Sequence, residues 1–185
     1  MRKNFGAKSA VYPMPVFIVA AYGKDGIPNA MNAAWGGISE ENEISICISA
    51  GHKTTKNIQE TGAFTVSMAT ANTVSESDYV GIVSGNKEPD KLKKCGFSTV
   101  KAEFVNAPII CELPMALECK LKSYDEKTCR LVGEIVNISV DESFLTDGCV
   151  DLAKLKPITY DEFSHGYYVI GERVGNAFSD GKKFR

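Results

Sequence analysis

No Cys-x-x-Cys pair occurs among the six cysteines (Cys47, Cys95, Cys111, Cys119, Cys129 and Cys149), and only two histidines, His52 and His165, are present to join them. A zinc or other metal site has no support in that pattern. No Gly-x-Gly-x-x-Gly follows an apolar run, so a Rossmann dinucleotide site has none either. No stretch approaches the about 20 consecutive apolar residues that cross a bilayer. The amino terminus, Met1-Arg2-Lys3-Asn4-Phe5, is basic but leads into no apolar segment of the signal-peptide kind. The net charge of −2 argues against broad electrostatic binding to nucleic acid. Two local basic clusters, Lys91 to Lys94 and Lys182 to Arg185, read as a solvated face and a solvated tail.

The chain has 185 residues, with 44% hydrophobic and 24% charged side chains, a size and balance that predict one soluble domain over 1–185. A secreted disulfide framework fits poorly with a chain able to build its own core. The thiols are therefore expected reduced and packed, in a cytoplasmic protein, with Cys47 in the core and Cys95 the one to be exposed.

The periodicity is mostly that of strands. Val16 to Tyr22 is an apolar run that stops at Gly23-Lys24-Asp25-Gly26, a hairpin turn. A small-residue ribbon, Pro28 to Gly37, returns from it. Ile44, Ile46 and Ile48 alternate in the next strand, and Ala63 to Met68 alternates in another. Thr55 to Thr61 reads as a short helix ended by Gly62. The polar region from Ala71 to Phe97 predicts helices near Val74–Val83 and Asp90–Lys94. Cys111–Tyr124 and Thr128–Val140 read as strands joined at an Asp125-Glu126-Lys127 tip. A short helix near Leu152 and a last strand at Tyr167–Ile170 follow. Many short strands with few helices favour an antiparallel barrel or sandwich over a doubly wound sheet.

Chemistry concentrates between Pro28 and Asn57. Ser49 to Asn57 opens a helix, and a helix start offers free amides and partial positive charge to a phosphate. Thr54 and Thr55 add hydroxyls there, Lys53 and Lys56 add charge, and Asn57 an amide. Ordinary capping by Thr54, with solvated lysines, is the other reading of the same loop. In the ribbon, Ala30, Ala33, Ala34, Gly36 and Gly37 would let a planar ring approach the backbone. Asn29 and Asn32 could bond its polar edge, and Trp35 either covers the ring or is a buried core residue beside a glycine bend. Ring wall and phosphate loop, expected on adjacent strands, suit one elongated ligand, flavin mononucleotide.

The ordered series of segments resembles the flavin reductase-like, or flavoredoxin-like, family. It comprises Asp25-Gly26-Ile27-Pro28-Asn29, Trp35-Gly36-Gly37, Lys53-Thr54-Thr55-Lys56-Asn57-Ile58, Gly62-Ala63-Phe64-Thr65-Val66, Asp90-Lys91-Leu92 with Gly96-Phe97, Leu117-Glu118-Cys119, and the tail Tyr167-Tyr168-Val169-Ile170-Gly171 with Arg173, Gly175 and Phe178. The resemblance implies a mainly β fold, an antiparallel FMN-binding split β-barrel of Greek-key type with a few short helices. It implies FMN as cofactor, with Asn29, Asn32 and Trp35 along the ring and ribityl chain, and Ser49, Lys53, Thr54, Thr55 and Asn57 at the phosphate. Lys91 would approach from the middle segment, as a positive group near the ring, and Phe178 from the tail.

No protein nucleophile is implied. NADH or NADPH would reduce the flavin, which would pass electrons to an acceptor such as a flavin, iron or a redox protein. The alternatives are an electron carrier reduced by a protein partner and a binding barrel without flavin. Members of the family are homodimers, so part of the site would come from a second copy. His52 reads as a solvated loop residue, His165 as a partly buried residue bonded to backbone, and Tyr160, Tyr167 and Tyr168 as packing.

Overall fold

The computed structural model describes residues 1–185. In chain order its strands and helices are β1 Phe17–Tyr22, β2 Pro28–Ala33, β3 Gly36–Glu40, β4 Glu43–Cys47, α1 Lys53–Thr61, β5 Ala63–Met68, α2 Val74–Ile82, α3 Lys91–Lys94, β6 Thr99–Lys101, β7 Pro108–Ile110, β8 Met115–Asp125, β9 Arg130–Val140, β10 Leu145–Thr146, β11 Cys149–Val150, α4 Leu152–Leu155, β12 Ile158–Asp161 and β13 Gly166–Val169. Seven strands form one antiparallel sheet in the order β2-β1-β5-β8-β9-β4-β3, curled into a half-barrel. The fold is the mainly β split barrel with short helices that the segment order implies. No helix is long and apolar enough to cross a membrane.

β1 explains the architecture. Its residues are apolar on both faces because both are covered, as in any doubly buried strand. Phe17, Val19 and Ala21 pack inside the curl with Ile44, Ile46, Ile58, Phe64, Val66 and Leu131. Val16, Ile18 and Ala20 face a second layer built from Val80, Leu92, Phe97 and Ile110. Curvature comes from register shifts between β8 and β9 at Glu118/Cys119 and Leu121/Ser123. Inside the curl Phe64 packs against Gly133, where an added Cβ would lie 2.3 Å from Phe64 Cζ. Gly133→Ala is expected to destabilise the fold by about 1–3 kcal/mol, read as a lowered urea midpoint, because neither the ring nor the strand has room to move.

Two sequence expectations change here. The Pro28–Gly37 ribbon is two strands rather than one: the chain breaks at Ala34, β2 pairs with β1, and β3 pairs with β4 at the far edge of the sheet. A long-range bond, Cys47 N–H to Trp35 O at 2.7 Å, draws the second half away. The ring wall and phosphate loop are accordingly not on adjacent strands, since β2 and β4 stand at opposite ends of the sheet order.

The thiols are also placed differently. Cys47 is exposed, because strand alternation that turns Ile44, Ile46 and Ile48 inward turns Cys47 outward. Cys119 is the buried one, Cys95 and Cys129 are half-buried, and Cys111 and Cys149 are exposed; all six are free.

Candidate cofactor site

Helix α1 begins at an N-cap His52 in extended conformation, with no side-chain cap and no acidic residue in the first turn. The amides of its first turn therefore have no intrahelical or side-chain acceptor. The chain leading into it is held firmly. Tyr124 Oη donates to Ile48 O at 2.9 Å, Thr55 Oγ1 to Ser49 O at 2.9 Å, and Asn86 Nδ2 to Gly51 O at 3.1 Å. Gly62 ends the helix in the left-handed region (φ 73°), its N–H bonding Ile58 O.

The site residues of this segment divide into two groups. Thr54, Thr55 and Asn57 are fully buried and turned into the protein, whereas Ser49 and Lys56 are exposed and Lys53 is half-buried. Thr54 Oγ1 accepts from Asn29 Nδ2 at 2.6 Å, so it ties the helix start to the beginning of β2. Their hydroxyls and amide fix the loop. Without a partner in the chain are the first-turn N–H groups, the exposed Ser49 hydroxyl and the half-buried Lys53 ammonium.

Asn29 is only 5% exposed, and its Oδ1 has no hydrogen-bond partner, although burying an unpaired amide oxygen is costly. Gly85, in the loop after α2, approaches so closely that an added Cβ would sit 2.0 Å from that oxygen. Three residues further along β2, about 10 Å at strand rise, the wall opens. There a cavity of about 270 Å³ is bordered by Asn32, Ala33, Asp78 and Tyr167. Asn32 Nδ2 donates to Ser77 O at 3.2 Å, and Tyr167 Oη donates to Asp78 Oδ1 at 2.8 Å. Burial first, then the Asp78 carboxylate, pushes the Tyr167 phenol up to about 12, so it stays a neutral donor. Beyond Ala34 lies a second cavity, about 530 Å³, walled by Trp35 and by Ser9, Val11 and Pro13 of the amino-terminal arm. Trp35 is 56% exposed, which excludes the core reading and leaves it as rim.

Three further expectations meet the structure here. Lys91 does not belong to a solvated face. It is 2% exposed, and its Nζ donates to Val80 O at 2.7 Å and Val83 O at 2.8 Å, closing the carboxyl end of α2. Phe178 is 98% exposed in the carboxyl-terminal tail and packs on nothing in its own chain. His165 is exposed at a turn (φ 54°) and shares a hydrogen bond with Tyr160 Oη at 2.7 Å, not with backbone.

Sequence reasoning missed the amino-terminal arm, the Asp78–Tyr167 pair, and Gly85 with Asn86. The arm reaches the site because Met14 exchanges hydrogen bonds with Thr159 Oγ1 (2.8 and 2.9 Å) and Tyr12 bonds Asp161. Tyr12-Pro13-Met14-Pro15, a run with no helix or strand period, was the available signal.

A half-barrel with an uncapped helix start at one end of β2 and an open small-residue wall at the other defines a class of fold and site, and comparison with known proteins identifies it. Residues 9–160 match the family described as "Flavin reductase like domain", and the chain belongs to that family. Among solved structures it is similar to the flavoredoxin of Desulfovibrio vulgaris (Miyazaki F), at 41% identity and a TM-score of 0.93, over 98% of this chain and 100% of that one. It is also similar to the flavoredoxin from Methanosarcina acetivorans, at 28% identity and a TM-score of 0.88 over the whole of both chains. An uncharacterized protein of Halalkalibacterium halodurans is 27% identical over 165 residues, 81% of this chain and 78% of that protein.

Proposed function

We propose that this protein is an FMN-binding flavoprotein oxidoreductase, with NADH or NADPH as electron donor and a flavin, iron or a redox protein as acceptor. One observation carries the reading: the amino end of α1 has neither side-chain cap nor acidic residue, and it is bonded through Asn29–Thr54 to the strand whose other end opens into the cavities at Asn32 and Trp35. A helix start left this way favours an anionic group. The flavoredoxin likeness supports FMN as that group's owner. A protein of the same fold from Shewanella baltica (22% identity, TM-score 0.79) is described as the FMN-binding domain of a flavin reductases-like enzyme, in keeping with the same cofactor here.

In this reading the first-turn amides of α1, the Ser49 hydroxyl and the Lys53 ammonium hold the phosphate. Thr54, Thr55 and Asn57 keep that loop in shape. Asn29 and Asn32 face the ribityl chain and the ring edge, and the flat backbone of Ala33 and Ala34 supports the ring, with Trp35 at its rim. The bound flavin supplies the hydride and electron chemistry. The chain's own residues bind, orient and shield it, and none acts as nucleophile. Lys91 acts at one remove, by fixing the end of α2. The exposed tail bearing Phe178 suits contact with a second copy, in a homodimer. The six free thiols suit the cytoplasm.

Flavoredoxin likeness also supports a second reading, a carrier reduced by a protein partner rather than by a nicotinamide. The two are separated by mixing the FMN-loaded protein anaerobically with NADH, NADPH or a reduced ferredoxin and following the flavin's visible absorption band. Bleaching by a nicotinamide well above the free-FMN control is the expected result. Bleaching by ferredoxin alone selects the carrier, and a protein that never takes up the cofactor rejects both.

A further inference from the structure

Cys47 and Cys129 are brought together where the sheet ends, at the root of the loop that leads to α1. Cys47 is the last residue of β4 and lies opposite Arg130 of β9 in the strand register. One residue on, Ile48 N–H bonds Cys129 O at 2.8 Å. The two cysteines are therefore diagonal neighbours across one strand pair. Cys129 is in the left-handed region (φ 57°), which takes its side chain out of the regular strand alternation. Both thiols turn to the same β8–β9 hairpin end. Cys47 Sγ contacts Thr128 O at 3.7 Å, one peptide unit from Cys129, and Cys129 Sγ contacts Glu126 O at 3.8 Å. The phenol of Tyr124 stands beside them. Burial, then the Cys129 thiol, Glu126 and the Cys47 thiol around it, raise its pKa.

Accessibility separates the pair from Cys119, and a cysteine neighbour across the strands separates it from Cys95. Cys47 is exposed and Cys129 half-buried. Cys119 is sealed in the core, where burial pushes its thiol up to about 12, and Cys95 is turned toward Leu92 O at 3.2 Å. An accessible thiol with a second within reach is what exchange with an external disulfide requires.

We propose that Cys47 and Cys129 form a dithiol/disulfide exchange site that accepts oxidising equivalents from small aliphatic disulfides. The thiolate of Cys47 attacks one sulfur of the external disulfide, forming a mixed disulfide and expelling one thiolate. The thiolate of Cys129 then attacks Sγ of Cys47, closing the internal bond and expelling the second. The two cysteines give up two protons and two electrons, and the external disulfide is reduced to two thiols. The closed bond joins the 125–129 hairpin end to Cys47, next to Ile48, whose carbonyl already accepts from Tyr124 Oη. The exchange does not depend on what the α1 loop binds.

The test uses the full chain, dilute and fully reduced, incubated with oxidised glutathione, quenched in acid, alkylated and digested without reduction. The expected result is a peptide containing Cys47 cross-linked within the chain to one containing Cys129, with two of the six thiols lost to alkylation. In Cys129→Ser, Cys47 is expected to retain glutathione as a mixed disulfide, whereas in Cys47→Ser the attacking thiol is gone and Cys129 is expected to stay largely reduced. A wild-type protein carrying glutathione on separate cysteines without the 47–129 cross-link would overturn the proposal. So would a cross-link joining only other cysteines, or one formed only between chains.

Discussion

Reversing the charge at Lys53 (Lys53→Glu) is expected to weaken FMN binding by about 100-fold or more, roughly 3 kcal/mol, with little change in stability. Two effects add. The variant loses a charge-assisted contact, the stronger kind of hydrogen bond, and places a carboxylate in the first turn of α1, where it competes for the free amides and repels a phosphate. The fold should tolerate the change because Lys53 is only half-buried and an acidic residue suits a helix start. Titration followed by quenching of flavin fluorescence, beside urea unfolding of the apo-protein, checks both halves. Lys56→Glu, one turn on and exposed, is expected to cost much less. If both variants bind FMN as the wild type does, the phosphate is not at this helix.

Removing Lys91 should do the opposite, costing stability before binding. Lys91→Ala is expected to destabilise the protein by about 3 kcal/mol, since it strands the carbonyls of Val80 and Val83 and leaves a cavity under the end of α2. Burial also lowers the Lys91 ammonium from 10.5 to about 8. Below about pH 8 it is protonated whether the chain is folded or not. Between about 8 and 10.5 the folded chain releases the proton first, so the unfolded state binds more protons and this group's contribution to stability rises with pH, levelling above 10.5. The difference in urea midpoint between the wild type and Lys91→Met is therefore expected to widen in the wild type's favour across that window. Parallel pH curves would mean that the ammonium is solvated after all.

How much could be read in advance depended on whether a residue's role was set locally. Ala63–Met68 and the Asp125–Lys127 tip follow from alternation and turn chemistry, and Gly62 stops α1 in the only conformation that strongly favours glycine there. The break at Ala34 was invisible because small residues carry no period; it is decided by Cys47 on another strand. Lys91 stood in a run of lysines that looks solvated, and only the distant carboxyl end of α2 makes it a buried donor. Cys47 was misplaced by weighing its neighbours' hydrophobicity above the alternation of the same strand. Within the candidate site, the residue types at the helix start were legible, but not that Thr54, Thr55 and Asn57 are buried and leave the helix start without a side-chain cap.

The most direct test is to titrate the apo-protein with FMN and with riboflavin, which differ only in the phosphate. FMN is expected to bind about 100-fold more tightly or better, and Lys53→Glu is expected to collapse that difference. Equal affinity for the two ligands, or no binding of either, would contradict a phosphate held at the amino end of α1.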